Sequence, residues 1–187
     1  MESRLPFAKP DELSPEAREA LDKTPDLAIF KVLANAEAAF PAFVGLLARL
    51  WDDSELSPRH RELAILTVAR VEGSEYEWSQ HVEVARLCGI DQQEIDRLED
   101  LDFSRFDETE TGMLELVVAT ARPGSPDPDL FARVRAEIGE RRITELILIT
   151  TIYAGIAAMI DAFGLEVDSH RGVYDLELGE EGPKLGG

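Results

Sequence analysis

The chain has 187 residues, 44% of them hydrophobic, which is typical of one globular domain. Its 38 acidic residues outnumber its 19 lysines and arginines, and the net charge of −19 argues against binding to nucleic acid or to an anionic membrane. The single cysteine, Cys88, excludes an intramolecular disulfide and a Cys-x-x-Cys redox pair and suggests a cytoplasmic location. We also expect no membrane span, because we find no apolar run of about 20 residues, and no signal peptide.

Helical patterns separated by short breaks cover most of residues 11–163 and predict an all-α, multi-helix bundle. Capping residues followed by a proline or an acidic residue indicate where several helices begin, at Ser14, Ser57, Ser74 and Asp91. Together with the apolar spacing they predict helices over about 15–21, 27–39, from 41 onward, 58–72, 74–88, 91–99, 107–121, 129–138 and 141–163.

The pattern divides the chain into an N-terminal extension (1–25), a helical domain (26–164) and a C-terminal tail or arm (165–187). Within the tail, Val173–Leu178 alternates in polarity and could form an extended arm that reaches a neighbouring subunit. The helix predicted over 141–163 has apolar residues around most of its circumference. We therefore expect a homo-oligomer in which this helix is largely buried.

Three titratable residues on two neighbouring helices are the candidate site. Glu62 lies at the start of an apolar helix, where an acid is costly unless it has a partner. Glu77 and His81 are four residues apart, so they share one face of the next helix. Two carboxyl groups and an imidazole can perform general acid–base chemistry, so we predict Glu62, Glu77 and His81 as catalytic residues.

Plainer interpretations of the same residues stay open. A histidine on a half-apolar helix is more often structural than catalytic, and Glu77 could form only a weak surface ion pair with His81. A metal site is disfavoured because no second histidine or cysteine lies at ligand spacing, and we expect no metal and no cofactor. Nucleophilic catalysis by Ser74 or Cys88 has little support in the neighbouring residues.

Three stretches resemble the carboxymuconolactone decarboxylase and alkylhydroperoxidase D-like superfamily. They are the Arg-Glu-Leu-Ala-Ile-Leu helix from Arg61, the Glu77-Trp78-x-x-His81 stretch leading to Gly89-Ile90, and the later helix from Glu145 to Phe163. The resemblance covers about residues 40–163. It implies an all-α fold, assembly into trimers or hexamers, and a pocket between helices.

The redox branch of that superfamily carries a glutamate, a Cys-x-x-Cys pair and a histidine. In this chain Glu62 and His81 match the glutamate and histidine, whereas Ser74 and Glu77 occupy the cysteine positions. A thiol-dependent peroxidase needs an attacking and a resolving thiol, so peroxidase activity is not expected. The decarboxylase branch needs no cysteine.

The resemblance therefore suggests a lyase-like, cysteine-independent acid–base enzyme for a small organic acid or lactone. His81 would transfer the proton, Glu62 or Glu77 would orient it, and the substrate pocket would be formed by Ser74, Trp78, Tyr153 and Arg70. Arg70 is the nearest cation that could hold a carboxylated substrate. The alternatives are a peroxide-defence protein and a non-catalytic helical oligomer that serves as a binding module.

Overall fold

A computed structural model describes residues 3–168 together with the backbone of residues 177–179 and 182–184. Eight α-helices lie within this part of the chain, and a 3₁₀ turn, Pro10–Glu12, precedes them. Their bounds are α1 Pro15–Asp22, α2 Ala28–Leu33, α3 Phe40–Asp52, α4 Pro58–Glu72, α5 Glu75–Leu87, α6 Gln92–Glu99, α7 Glu108–Ala121 and α8 Pro128–Phe163. The all-α fold predicted from the sequence is confirmed.

The predicted helix starts are confirmed by their capping hydrogen bonds. The hydroxyl oxygens of Ser14, Ser57 and Ser74 accept hydrogen bonds from backbone amides in the first turns of α1, α4 and α5. Asp91 and Glu94 form a reciprocal capping box at the start of α6. Glycines with positive φ end α4 and α8, at Gly73 (φ 67°) and Gly164 (φ 65°).

Helix α2 is shorter than predicted. The apolar spacing predicts a helix to about residue 39, but α2 ends at Leu33. Asn35 follows this end and donates side-chain hydrogen bonds to the carbonyl oxygens of Val32 (3.0 Å) and Pro6 (2.9 Å). An asparagine side chain that binds nearby carbonyl groups competes with the helical pattern, which explains the early end.

Helix α8 is the central element of the main core. Gly139 (φ 85°, ψ 169°) is non-helical and separates the two segments that the sequence predicts as separate helices. The second segment packs against α4 and α7 through a buried face that includes Ile143, Leu146, Ile149 and Tyr153. Our expectation about membrane spans needs correction: α8 is long and apolar enough to cross a membrane, a test that core helices of soluble proteins also pass.

The residues predicted as an N-terminal extension pack onto the helical body. Helix α1 lies against α3, and its Ala17 is fully buried. Arg4 donates hydrogen bonds from its side chain to two carbonyl oxygens in the last turn of α8. Asp168, just after α8, accepts hydrogen bonds from the Tyr76 hydroxyl and from the amide of Ala28 at the start of α2. These contacts hold α2 and α5 side by side.

Two short antiparallel strands follow, β1 (Glu177–Gly179) and β2 (Gly182–Lys184), with Leu178 opposite Pro183. The predicted extended arm, Val173–Leu178, lies largely outside the described residues. Its proposed contact with a neighbouring subunit stays a prediction.

Candidate active site

A carboxylate–imidazole pair joins helices α4 and α5. Oε2 of Glu62 lies 2.8 Å from Nδ1 of His81, and Glu62 is completely buried. An ionised carboxylate can only accept, so Nδ1 carries the proton of this hydrogen bond. In the neutral ring the second nitrogen, Nε2, then has a free lone pair and can act as a base. The predicted pairing of Glu62 with His81 is present in the structure.

Arg61 supplies the positive charge beside Glu62. Its Nε donates to Oε1 of Glu62 at 3.2 Å, and its NH1 donates to the backbone oxygen of Trp51 at 2.9 Å. The guanidinium also stacks on the indole of Trp51, 4.1 Å from the ring centre. Arg61 and Glu62 are both buried, so water does not solvate their charges. Each side chain instead compensates the charge of the other.

Tyr153 of α8 contacts the histidine ring and forms a hydrogen bond with Trp51. The indole Nε1 of Trp51 donates to the Tyr153 hydroxyl at 3.2 Å, so the hydroxyl proton is free to be donated elsewhere. The rings of His81 and Tyr153 meet edge to face, with centroids 5.2 Å apart. Burial, followed by the nearby charge of Glu62, raises the pKa of Tyr153, so this hydroxyl remains a proton donor throughout the neutral range.

These groups surround a cavity between four helices. The cavity has a volume of about 80 Å³, enough for several waters or a small ligand. Its walls are largely apolar and aromatic, and His81, Tyr153 and Trp51 contribute to them. The lining residues are Pro25 and Leu27 before α2, Ile29, Phe30 and Leu33 of α2, Phe43, Leu47 and Trp51 of α3, Tyr76, Glu77, Gln80, His81 and Val84 of α5, and Tyr153, Ile156 and Ile160 of α8.

Glu77 lines the cavity but does not join the pair. Both of its carboxyl oxygens are buried and have no hydrogen-bond partner in the described part of the chain. Burial raises the pKa of Glu77 to about 8, so the group is mainly protonated at neutral pH. Of the two acids expected to orient His81, Glu62, from the neighbouring helix, binds the imidazole and Glu77 does not.

Three residues predicted for the substrate pocket do not line this cavity. Ser74 caps α5. Trp78 packs against a separate apolar cluster around Leu63 and Leu66, and Arg70 stacks on its indole at 4.1 Å. Arg70 is further bound by Glu75 and Glu99, at 2.6 Å and 2.5 Å. Of the four predicted pocket residues only Tyr153 lines the cavity.

Gln80 and Trp51 are among the cavity residues that were not predicted, and the helical period contains a signal for Gln80. At about 100° per residue, Gln80 and Val84 lie within about 60° of Glu77 around α5, whereas Trp78 lies about 100° away. Helical spacing alone therefore favours Gln80 over Trp78 as a neighbour of Glu77. Trp51 is distant in sequence, at the end of α3, and no local pattern links it to His81.

The described residues contain no group of three histidine, cysteine, aspartate or glutamate side chains arranged to hold a metal ion. Cys88 is half-buried, and burial raises the pKa of its thiol to about 12, with a further contribution from the charge of Glu62. A thiol with so high a pKa is a poor source of the reactive thiolate at neutral pH.

Comparisons with known proteins agree with this architecture. Residues 37–119 match the model of the carboxymuconolactone decarboxylase family. The solved structure of an uncharacterised peroxidase-related protein from Ralstonia eutropha JMP134, described as an alkylhydroperoxidase AhpD core, is similar with a TM-score of 0.75 and 17% identity. The similarity covers 91% of this chain and 95% of that one.

The match over residues 37–119 and the shared fold make the chain similar to carboxymuconolactone decarboxylase and alkylhydroperoxidase D-like proteins. A second similar structure is a protein of unknown function from Agrobacterium tumefaciens, provisionally described as an antioxidant defence protein AhpD. Its TM-score is 0.64 at 22% identity, covering 73% of this chain and 96% of that one. No match was found among curated proteins.

Proposed function

We propose that this protein is a cysteine-independent acid–base enzyme of the carboxymuconolactone decarboxylase and alkylhydroperoxidase D-like superfamily, and that it moves a proton on a small carbonyl compound of the lactone class. The observation that carries the proposal is the hydrogen bond between Glu62 and Nδ1 of His81 at the edge of the cavity. It fixes one tautomer of the imidazole and leaves Nε2 for a substrate. A buried carboxylate that orients a histidine is a common arrangement for a general base.

The neighbouring groups suit the steps of such a reaction. Nε2 of His81 would take a proton from the carbon next to the substrate carbonyl, and Glu62 would stabilise the imidazolium that forms. The electron pair of the broken C–H bond would then move onto the carbonyl oxygen as an enolate. The Tyr153 hydroxyl, whose oxygen is held by Trp51, would donate to that oxygen. Return of the proton to carbon would complete the exchange.

The charges around the cavity favour a lactone over an organic acid. In the described part of the chain, no lysine or arginine lines the cavity, whereas Glu77 does and Glu62 adjoins it. Arg61, which lies beside Glu62, already donates to Glu62 and to the Trp51 carbonyl. A substrate carboxylate would thus lose its hydration without gaining a cationic partner.

Peroxide reduction fits these residues less well. Ser74 and Glu77 occupy the positions at which the redox branch carries its cysteines, and the pKa of the Cys88 thiol is raised. A dithiol-driven reaction would have neither a ready thiolate nor a resolving thiol.

The proposal is tested by proton exchange in deuterated water. A panel of saturated and unsaturated five- and six-membered lactones would be incubated with the protein, and deuterium at the α-carbon followed by NMR. We expect the natural chain to catalyse the exchange. We expect His81→Gln to lose it, because glutamine is similar in size to histidine but cannot titrate. Val82→Ala, next to His81 in sequence and outside the cavity lining, is the matched control.

The proposal fails if no lactone in the panel exchanges faster than without protein. It also fails if dithiol-dependent peroxide turnover persists in Cys88→Ser, because the site would then serve another chemistry. Unchanged exchange in His81→Gln would remove His81 from the reaction.

A further inference from the structure

Four buried polar atoms in the cavity lack a hydrogen-bond partner among the described residues. They are both carboxyl oxygens of Glu77 and both the oxygen and the nitrogen of the Gln80 amide. Each of these residues is only 3% exposed. A buried polar group without a partner is destabilising, because it has lost its hydrogen bonds to water. Two such side chains together indicate that something other than the protein completes their hydrogen bonds.

Their position shows where that partner would lie. Glu77 and Gln80 are three residues apart on α5, share one face of that helix, and both line the cavity. Many of the surrounding walls are hydrocarbon, for example Ile29, Leu47 and Ile156. These walls offer neither donors nor acceptors, and a molecule inside the cavity would lie within reach of both side chains.

The side chains of Glu77 and Gln80 both offer hydrogen-bond donors and acceptors. Because burial raises the pKa of Glu77 to about 8, its carboxyl group carries a proton at neutral pH and presents one donor and one acceptor. The Gln80 amide also presents donors and an acceptor. A complementary ligand must therefore offer both kinds of group side by side.

We propose that Glu77 and Gln80 form a recognition subsite for an uncharged substrate that carries a hydroxyl beside its carbonyl, as a hydroxylactone does. The proposal rests on the proposed function, since it specifies the substrate of the Glu62–His81 pair. The hydroxyl and carbonyl oxygens together supply a donor and acceptors to the two side chains, while the apolar walls hold the ring.

Charged ligands match these groups less well. A carboxylate could accept from the protonated Glu77 and from the Gln80 amide, but it would lie close to the charge of the adjoining Glu62, with no cation lining the described cavity. An ammonium group could donate to Glu77 and to the oxygen of Gln80, but it has no acceptor for the Gln80 nitrogen. It would also require Glu77 to be ionised.

Ligand titrations followed by NMR at pH 6.5 test the subsite without any catalytic step. The probes are α-hydroxy-γ-butyrolactone, γ-butyrolactone, the 4-hydroxybutyrate anion and n-butylammonium. We expect the hydroxylactone to bind roughly ten-fold or more tightly than the unsubstituted lactone, since a hydrogen-bonding site rejects the analogue that lacks the hydroxyl. The two ions should bind more weakly than either lactone.

Variants distinguish hydrogen bonding by Glu77 and Gln80 from the fit of the ligand to the cavity walls. Glu77→Gln keeps one donor and one acceptor, so the preference for the hydroxylactone should persist. Glu77→Leu and Gln80→Leu should each abolish it. Ile156→Val changes the cavity wall without touching a polar group and should leave the ratio of affinities unchanged. Far-ultraviolet circular dichroism of each variant would establish that it is folded.

Titration of the affinity from pH 6 to 9 gives an independent readout. The titratable groups in or beside the cavity are Tyr76, Glu77 and His81 on α5, Glu62 on α4 and Tyr153 on α8, whereas α2 and α3 contribute only apolar side chains and the Trp51 indole. In a His81→Gln background, hydroxylactone affinity should fall above about pH 8 as Glu77 ionises. Adding Glu77→Gln should remove that fall.

Equal binding of the two lactones, or a preference that survives both leucine variants, would overturn the subsite. Tightest binding of n-butylammonium, lost in Glu77→Gln, would assign the cavity to amines instead. Failure of the proposed function is distinguishable: the hydroxylactone would then bind with the expected preference but show no α-proton exchange. Proton exchange without a preference for the hydroxylactone would support the proposed function and overturn the subsite.

Discussion

His81 binds Glu62, 19 residues earlier on another helix, at 2.8 Å, and not Glu77, which lies one turn before it on its own helix. This pairing gives the two acids different roles. Glu62 is completely buried and has Arg61 and His81 as hydrogen-bond partners. Glu77 has no charged partner, and burial keeps it protonated at neutral pH. Glu77 therefore lines the cavity as a carboxylic acid, while Glu62 adjoins the cavity and binds His81.

Removing the buried carboxylate should strongly destabilise the fold. In Glu62→Ala the Arg61 guanidinium would remain buried without its counter-charge, a situation that typically costs about 3–5 kcal/mol. We expect a large decrease in the urea midpoint of unfolding. Glu19→Ala, which breaks the exposed ion pair with Lys23, is the control and should change the midpoint little. Equal shifts in the two variants would contradict a structural role for the buried pair.

Features set by local chemistry could be predicted from the sequence. Caps such as Ser14 and Asp91 act within one helical turn, so a short pattern suffices to locate the start of a helix. The Glu62–His81 pair was also found, because an acid in an apolar helix requires a partner and few candidates exist. The family resemblance supplied the same two positions.

Features that depend on tertiary packing could not be predicted in this way. Trp51 reaches Tyr153, 102 residues away, only because α3 and α8 meet at the cavity. The stacking of Arg70 on Trp78 likewise depends on how α4 and α5 pack, and it places both residues outside the pocket in which we expected them. Gln80 is different, since the period of α5 already places it near Glu77.

Replacing Tyr153 with phenylalanine should affect activity more than stability. The substitution removes the acceptor of the Trp51 indole N–H, at a cost of about 1–2 kcal/mol. It also removes the proposed donor to the substrate oxygen, and loss of one such donor typically lowers kcat by about 10²–10³-fold. Proton-exchange rates and urea denaturation of the same preparation would measure both effects. A loss of stability with unchanged exchange would limit Tyr153 to a structural role.

Cys88 should react slowly with alkylating reagents. Burial, then the charge of Glu62, raises the pKa of its thiol to about 12, so little thiolate is present at pH 7.5. We expect iodoacetamide to modify the folded protein far more slowly than the urea-unfolded protein, as followed by mass spectrometry. Because the chain has a single cysteine, any mass shift from cysteine alkylation reports on Cys88. Equally rapid modification of both forms would show that the thiol is accessible and ionised.

We predict that the protein forms a homo-oligomer through the outer face of α8. Although one face of this helix is buried in the core, Leu148 is 41% exposed and Phe131 is 38% exposed. Exposed apolar groups on a core helix are typical of a surface that a second subunit covers. Light scattering at micromolar concentration should show an oligomer, and Leu148→Glu should reduce its mass. Leu87→Glu, at a leucine 50% exposed on α5, is the matched control. A monomeric natural chain would refute the prediction.

The protonated state of Glu77 should make the fold less stable as the pH rises. Its pKa is about 8 in the folded protein but near its usual value of 4.5 in the unfolded chain. Between these values the unfolded state has released the proton and the folded state still holds it, so the free energy of unfolding falls as pH increases and levels off above about pH 8. The total decrease should be on the order of a few kcal/mol. Urea denaturation at pH 5, 6.5 and 8 would measure it for the natural chain and for Glu77→Gln, which has no proton to release. The difference in stability between the two should grow in favour of Glu77→Gln as the pH rises. A difference that is constant with pH would show that Glu77 ionises at an ordinary pKa and that the cavity is more polar than its walls indicate.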